Sequence, residues 1–206
     1  MKKSFSILLL IFMGFNVIYA QGSLNASEVL NRAVKKLSSA NGIEAKFLIK
    51  NAGLNGEGTI KTMGSKYHVA LPDIEVWYNG KTMYTYNKRT EETTVVTPTT
   101  EEISETNPLS YISNSEKNYT AVFAKEKKSG KYVLDLLPKS KKDNIKKVVL
   151  TLKQNDFTPE NMVVEPLSGS PITIDIKTFK TAVSGSTSEF EYPKSKYPGV
   201  EIIDLR

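Results

Sequence analysis

From residue 25 onward, apolar and polar positions follow two successive periods. "NASEVLNRAVKKLSSANG", residues 25–42, repeats apolar side chains at helical spacing, with Val29, Leu30, Ala33, Val34 and Leu37 on one face. Asn25 stands where a cap belongs and Glu28 follows three residues later, the pattern of a capping box, while Asn41-Gly42 closes the run. A helix apolar on one face only needs a surface to cover. The rest of the chain mostly alternates with period two. "IEAKFLIK" puts Ile43, Ala45, Phe47 and Ile49 on one side; "GEGTIKT" follows with Ile60, and "KYHVAL" with Tyr67, Val69 and Leu71. The pattern continues through "IEVWY", "KTMYTY", "TTVVT", "NYTAVFAKE", "KYVLDLLP", "IKKVVLTL", "NMVVEP", "PITIDIKTF" and "SEFEYP". Turn formers punctuate it at Asn55-Gly56, Asn79-Gly80, Ser129-Gly130, Ser168-Gly169 and Ser184-Gly185. About ten short strands so spaced predict an antiparallel sheet or barrel.

Two segments refine that reading. "WYNGKTMYTYN", residues 77–87, predicts a tight hairpin around Asn79-Gly80 with a ring-bearing residue at Trp77, Tyr78, Tyr84 and Tyr86. Val76, Tyr78, Met83 and Thr85 fall on one face, and Trp77, Tyr84 and Tyr86 on the other. A one-residue slip in register would exchange the two sets, so the pattern leaves open which of them faces the interior. "EEISETNPLSYISNSE" does not alternate. Asn107 before Pro108 predicts the start of a short helix, because proline suits the first helical position, and Leu109 and Ile112 share its apolar face.

The first twenty residues differ from all of this. Lys2 and Lys3 precede an uncharged apolar run that ends at Ile18, Tyr19 and Ala20, which reads as a secretory leader cleaved after Ala20. Residues 21–206 then form one domain, expected to be soluble. The chain has no Cys, so neither disulfide staples nor a lipoprotein anchor is expected. Two of the charges behind the formal +6 belong to Lys2 and Lys3; the remaining balance is mild and mixed, and no nucleic-acid-binding module is present.

Little in the chain suggests catalysis. His68 is the single His and lies opposite Tyr67 and Val69 in its strand, a half-exposed surface position; zinc, copper and calcium sites are not expected, nor any cofactor. No nucleophile elbow, phosphate loop or dinucleotide fingerprint occurs. The carboxylate pairs Asp73/Glu75 and Glu101/Glu102 keep an exported glycosidase-like hydrolase as the least favoured reading. "KEKKSGK" (125–131) and "KSKKDNIKK" (139–147) read as hairpin ends kept soluble by Lys, or as a patch for an acidic partner or anionic lipid.

A sheet with a generous apolar face and two helices to cover it can enclose a site for an apolar ligand. At this point the chain resembles the LolA family of periplasmic lipoprotein carriers. The resemblance is carried by the helix followed directly by "IEAKFLIK", by "GEGTIKT", and by "YNGKTMYTYNKRTEETTV" with its Gly-Lys turn and following aromatics. "NPLSYI", "YVLDLLPK" and the closing "EFEYPKSKYPGVEIIDL" complete it. It implies an incomplete antiparallel β-barrel of about ten to eleven strands, lidded by the N-terminal helix and a short inserted helix. It also implies a monomeric, non-enzymatic periplasmic carrier that takes the acyl chains of lipid-modified proteins from an inner-membrane release complex to an outer-membrane acceptor. One departure stands out. The family's basic-Pro pair after the second strand, whose Arg contacts the lid, is here "KTMGSKYH"; Lys61 and Lys66 are the nearby charges, but Lys lacks the planar fork of Arg.

On this reading Phe47, Ile49, Ile60, Tyr67, Val69, Val76, Tyr78, Met83 and Val95 line the apolar site, and Leu109 and Ile112 form the lid. The same fold could instead hold another lipid, such as a glycolipid or polyene, or serve as a sensor of envelope lipids.

Overall fold

The computed structural model describes residues 24–50, 55–140 and 144–206. The leader read at residues 1–20 and part of the 139–147 lysine stretch lie outside them. The first helix forms as its sequence dictates: α1 (Ala26–Ser38) is opened by Asn25, whose Oδ1 accepts from Glu28 N at 2.9 Å while Glu28 Oε2 accepts from Asn25 N at 2.8 Å. Its buried residues are Ala26, Val29, Leu30, Ala33 and Leu37.

Six strands follow: β1 (Ile43–Lys50), β2 (Gly56–Met63), β3 (Lys66–Ala70), β4 (Ile74–Tyr78), β5 (Met83–Asn87) and β6 (Glu92–Val96). Three short helices come next, α2 (Thr100–Thr106), α3 (Ser110–Ser113) and α4 (Ser115–Asn118). The chain then continues through β7 (Tyr119–Phe123), β8 (Lys131–Pro138), β9 (Ile145–Lys153), β10 (Pro159–Pro166) and β11 (Ile172–Thr181), and ends on β12 (Glu201–Asp204). All twelve strands join one sheet in the order β12-β6-β5-β4-β3-β2-β1-β11-β10-β9-β8-β7, which does not close into a barrel.

This order determines where the helices go. Two meanders, β1–β6 and β7–β11, meet at the β1–β11 pair, so β6 lies near one edge of the sheet and β7 is the other edge. The connection from β6 to β7 has to cross the sheet, and it crosses on the face that carries the alternating apolar residues, which becomes the inside. There α1 packs against β7, β8 and α3.

The structure corrects four expectations. Among the described residues there are twelve strands, and the last, β12, runs parallel to β6 in an otherwise antiparallel sheet. The inserted helix is three helices and begins earlier than Pro108, because Thr99 and Glu102 form a capping box that starts α2. Asn107, forced toward extended backbone by the following proline (φ −111°, ψ 100°), then ends it. "SEFEYP" is not a strand: a further capping box between Ser186 and Glu189 turns Thr187–Phe190 into a 3₁₀ helix. The hairpin loop is four residues long, Asn79–Thr82, with Asn79 Oδ1 accepting from Lys81 N and Thr82 N and Gly80 at φ 96°.

Candidate functional site

The inner face is a trough. Its floor on the β1–β5 side carries Phe47, Ile49, Ile60, Tyr67, Val69, Val76, Tyr78 and Met83, all buried in one apolar cluster. Register explains why they share a face: Ile60 pairs with Val69, Val69 with Val76, Tyr67 with Tyr78, and Tyr78 with Met83. Phe47 pairs with Gly58 and its ring lies where a Gly58 side chain would be, since a Cβ there would stand 2.5 Å from the ring. Beside this contact a cleft of about 330 Å³ opens, lined by Phe47, Gly58, Thr59, Leu71, Lys46 and Lys177 among others.

Eight of the nine floor residues named from the sequence are thus together. Val95 is not with them. It pairs with Tyr84, which pairs with Trp77, so it faces the opposite side of the sheet. The alternation of "TTVVT" offers Val95 and Val96 equally, and the register places Val96 inward, opposite Met83. The sequence reading also missed the second half of the floor. Leu134 and Leu136, Val148, Leu150 and Leu152, Met162, Val164 and Ile174 are buried in the same cluster. Their alternation in "YVLDLLP", "IKKVVLTL", "NMVVEP" and "PITIDIKTF" was the available signal.

The roof is α1 with the α2–α4 segment. Leu109 and Ile112 are both buried in the cluster. The polar groups of this segment are satisfied locally: Ser110 Oγ donates to Ser104 O at 3.0 Å, Ser115 Oγ to Ile112 O at 2.6 Å, and Asn107 Oδ1 accepts from Leu109 N. Between roof and floor, Tyr67 OH and Thr106 Oγ1 lie 2.6 Å apart. Because Thr106 Oγ1 donates its own proton to Glu102 O at 2.8 Å, Tyr67 is the donor. Burial pushes the Tyr67 hydroxyl up to about 12, only partly offset by Thr106, so it remains protonated in any physiological medium. Lys61, one of the two charges near the place of the family's lid Arg, points the other way and pairs with Glu189. A neutral hydroxyl pair therefore joins lid and floor at this point.

The opposite face answers why the 77–87 hairpin has rings on both sides. After β11 the chain crosses the outer surface of β2–β6 as a strap. Phe190 is buried there. Tyr192 stacks on Tyr84 (centroids 5.3 Å, planes 6° apart) and on Tyr197, and meets Trp77 edge-on. Its hydroxyl accepts from Thr93 Oγ1 at 3.0 Å. Tyr197 packs on Tyr86 and donates to Glu75 Oε2 at 3.0 Å, while His68 Nε2 lies 2.8 Å from Glu75 Oε1 and stacks on Trp77. Burial alone would raise the Glu75 carboxyl, but the hydrogen bonds from His68 and Tyr197 outweigh it and hold the group below its ordinary value. His68 is half-exposed as expected, though partnered. Of the carboxylates weighed for hydrolysis, Asp73 is paired with Arg89, Glu75 belongs to this clasp, and Glu102 caps α2. Among the described residues no cluster of three metal-ligating side chains occurs, and no helix is long and apolar enough to cross a membrane.

Comparison with known proteins bears on this architecture. A sequence model of the family described as "Outer membrane lipoprotein carrier protein LolA" matches residues 16–165. No curated protein sequence matches. An uncharacterized conserved protein from Thermus thermophilus has a TM-score of 0.54 at 13% identity, over 87% of this chain and 98% of that one, a likeness of fold. A DUF1329 family protein from Desulfovibrio piger scores 0.46 at 14% identity, over 84% and 99% of the two chains. A LolA superfamily protein from Nitrosomonas europaea scores 0.43 at 12% identity, over 82% and 99%.

Proposed function

This chain belongs to the LolA family of outer membrane lipoprotein carrier proteins, and from that premise we propose that it is a periplasmic carrier that shields the acyl chains of lipid-modified proteins. The leader at residues 1–20 would export it, and it would act as a monomer without cofactor or catalysis. Its donor would be an inner-membrane release complex and its acceptor a site at the outer membrane.

The observation that carries this reading is the trough itself, a two-sided apolar floor roofed by helices whose Leu109 and Ile112 are buried in the same cluster. An acyl chain would displace these two side chains and take their place against Phe47, Ile49, Ile60, Tyr67, Val69, Val76, Tyr78 and Met83. Burial of the chain supplies roughly 0.8 kcal/mol per CH₂ withdrawn from water, set against the cost of expelling the lid. Because that gain would be lost on release into water, the cargo has to pass directly to another sheltered site. The lid is suited to moving: its hydrogen bonds are mainly internal to residues 99–118, and its tie to Tyr67 is a neutral pair that breaks without stranding a charge.

Mass spectrometry of the protein purified under native conditions from its own periplasm tests the proposal. Acylated proteins or lipopeptides in near-stoichiometric yield support it. A free glycolipid or polyene in their place would keep the trough as a lipid site and reject the lipoprotein cargo. Nothing bound, together with no displacement of an apolar dye by a lipopeptide, would reject both.

A further inference from the structure

Apart from the trough, the end of the sheet formed by the β7–β8 and β9–β10 turns carries an arrangement that the carrier reading does not use. Three rings run in line there, from the edge strand toward α1. Phe123 stands 6.3 Å from Tyr132, and Tyr132 stacks on Phe157 at 5.8 Å with planes 8° apart. Arg32 of α1 lies over the Phe157 ring at 5.3 Å. Phe123 is 48% exposed although it is aromatic and at the end of an edge strand. Phe157 holds a left-handed backbone, φ 59°, which a bulky side chain seldom adopts. The turn is held in that shape by Asp156, which accepts from Thr158 N and Oγ1 and pairs with Lys36 of α1 at 2.9 Å.

Immediately after Phe123 comes "AKEKKSGK", which carries four Lys against one Glu. Lys125, Lys127 and Lys128 are all exposed, and Glu126 lies 3.5 Å from Lys128 alone. Between the two turns an open cleft is lined by Ser129, Gly130, Lys131, Lys153, Gln154 and Asn155. Lysines alone at a hairpin end would be explained as protection of an exposed edge. They do not explain a half-exposed Phe at the same tip, or a Phe kept in a costly backbone conformation to complete a row of rings. Aromatic rings beside flexible cations are what the boundary of a bilayer selects: rings settle at headgroup level, and lysines reach the phosphates.

We infer that this tip, with Phe123 and Lys125, Lys127 and Lys128 at its centre, docks the protein on an anionic bilayer surface. The docking brings the C-terminal end of α1 and the adjoining rim of the trough against the membrane.

Flotation with lipid vesicles tests this, using protein shown by mass spectrometry to be free of lipid. The protein partitions onto vesicles of phosphatidylglycerol and phosphatidylethanolamine and not onto phosphatidylcholine alone. K125Q/K127Q/K128Q weakens the partition roughly hundredfold, and Phe123→Ser roughly tenfold. K81Q/K194Q/K196Q, which removes the same net charge from other exposed positions, leaves it nearly unchanged. No partition onto anionic vesicles, as for a tip that meets an acidic protein instead, overturns the inference. So does an equal loss in the two triple variants, which would mean a diffuse charge effect. Lipopeptide retention measured on the same variants in solution separates the two proposals. Flotation without retention rejects the carrier and keeps the docking surface; retention without flotation does the reverse.

Discussion

Tyr67, on the floor of the trough, donates its hydroxyl proton to Thr106 at the end of lid helix α2, across 2.6 Å. The ring of Tyr67 is almost wholly buried, against Tyr78 at 5.3 Å, so floor and roof are tied from inside the apolar layer. Tyr67→Phe keeps the packing and removes the tie. It should cost about 1 kcal/mol and speed hydrogen exchange of the amides in residues 100–113, leaving β8–β10 protected. Unchanged exchange in that segment would show that Tyr67 does not hold the lid.

Leu109→Asp places a carboxylate in the cluster that Leu109 now fills. The buried charge is too costly to keep, so the lid should detach while the sheet stays folded. Lipopeptide retention should fall sharply. Trp77 fluorescence should hold, because Trp77 packs beneath the strap on the other face. Retention equal to that of the unmodified protein would remove Leu109 from the lid.

Phe190 anchors the strap and is 1% exposed. Phe190→Ala should destabilise by about 3–5 kcal/mol. It should also shift Trp77 emission to the red as Tyr192 and Tyr197 loosen, which thermal unfolding and fluorescence can follow together.

The strap clasp should weaken in acid. Glu75 has a folded pKa below its ordinary 4.5, so its contribution is complete above that value and is lost as pH falls through the folded pKa. Thermal unfolding followed from neutral pH down into the acid range should show a loss of stability that Glu75→Gln reduces. A variant with the same acid profile as the parent would place the acid-sensitive group elsewhere.

Gly58→Ala should lower stability by about 1–3 kcal/mol, since its Cβ would meet the Phe47 ring at 2.5 Å and Leu71 Cδ2 at 2.8 Å. A variant with unaltered thermal midpoint would mean that Phe47 is free to move aside.

Local physics made much of this legible in advance. The capping box of Asn25 and Glu28 and the spacing of Val29, Leu30, Ala33 and Leu37 specify α1 without reference to the rest of the chain. β1 alternates as its sequence does, with Ile43, Ala45, Phe47 and Ile49 all buried. The lid was half legible. Leu109 and Ile112 announced an apolar face, but the start of α2 lay in a second capping box, Thr99 with Glu102, hidden among the polar residues before it.

What the sequence determined by itself is whatever depends on neighbours a few residues apart: the helix, the period-two strands, and two families of side chains on opposite faces of the 77–87 hairpin. Which family faces the trough was decided by the sheet. Val95 and Val96 are equal in sequence, and only the pairing with β5 turns Val96 inward and Val95 out. The second half of the floor, the tie from Tyr67 to Thr106 across 39 positions, and the strap that buries Trp77 under Tyr192 and Tyr197 are likewise tertiary. Each joins residues distant along the chain, and their proximity follows from two connections, the passage from β6 at one side of the sheet to β7 at its far edge and the return of the chain after β11 over β2–β6, which no local period encodes.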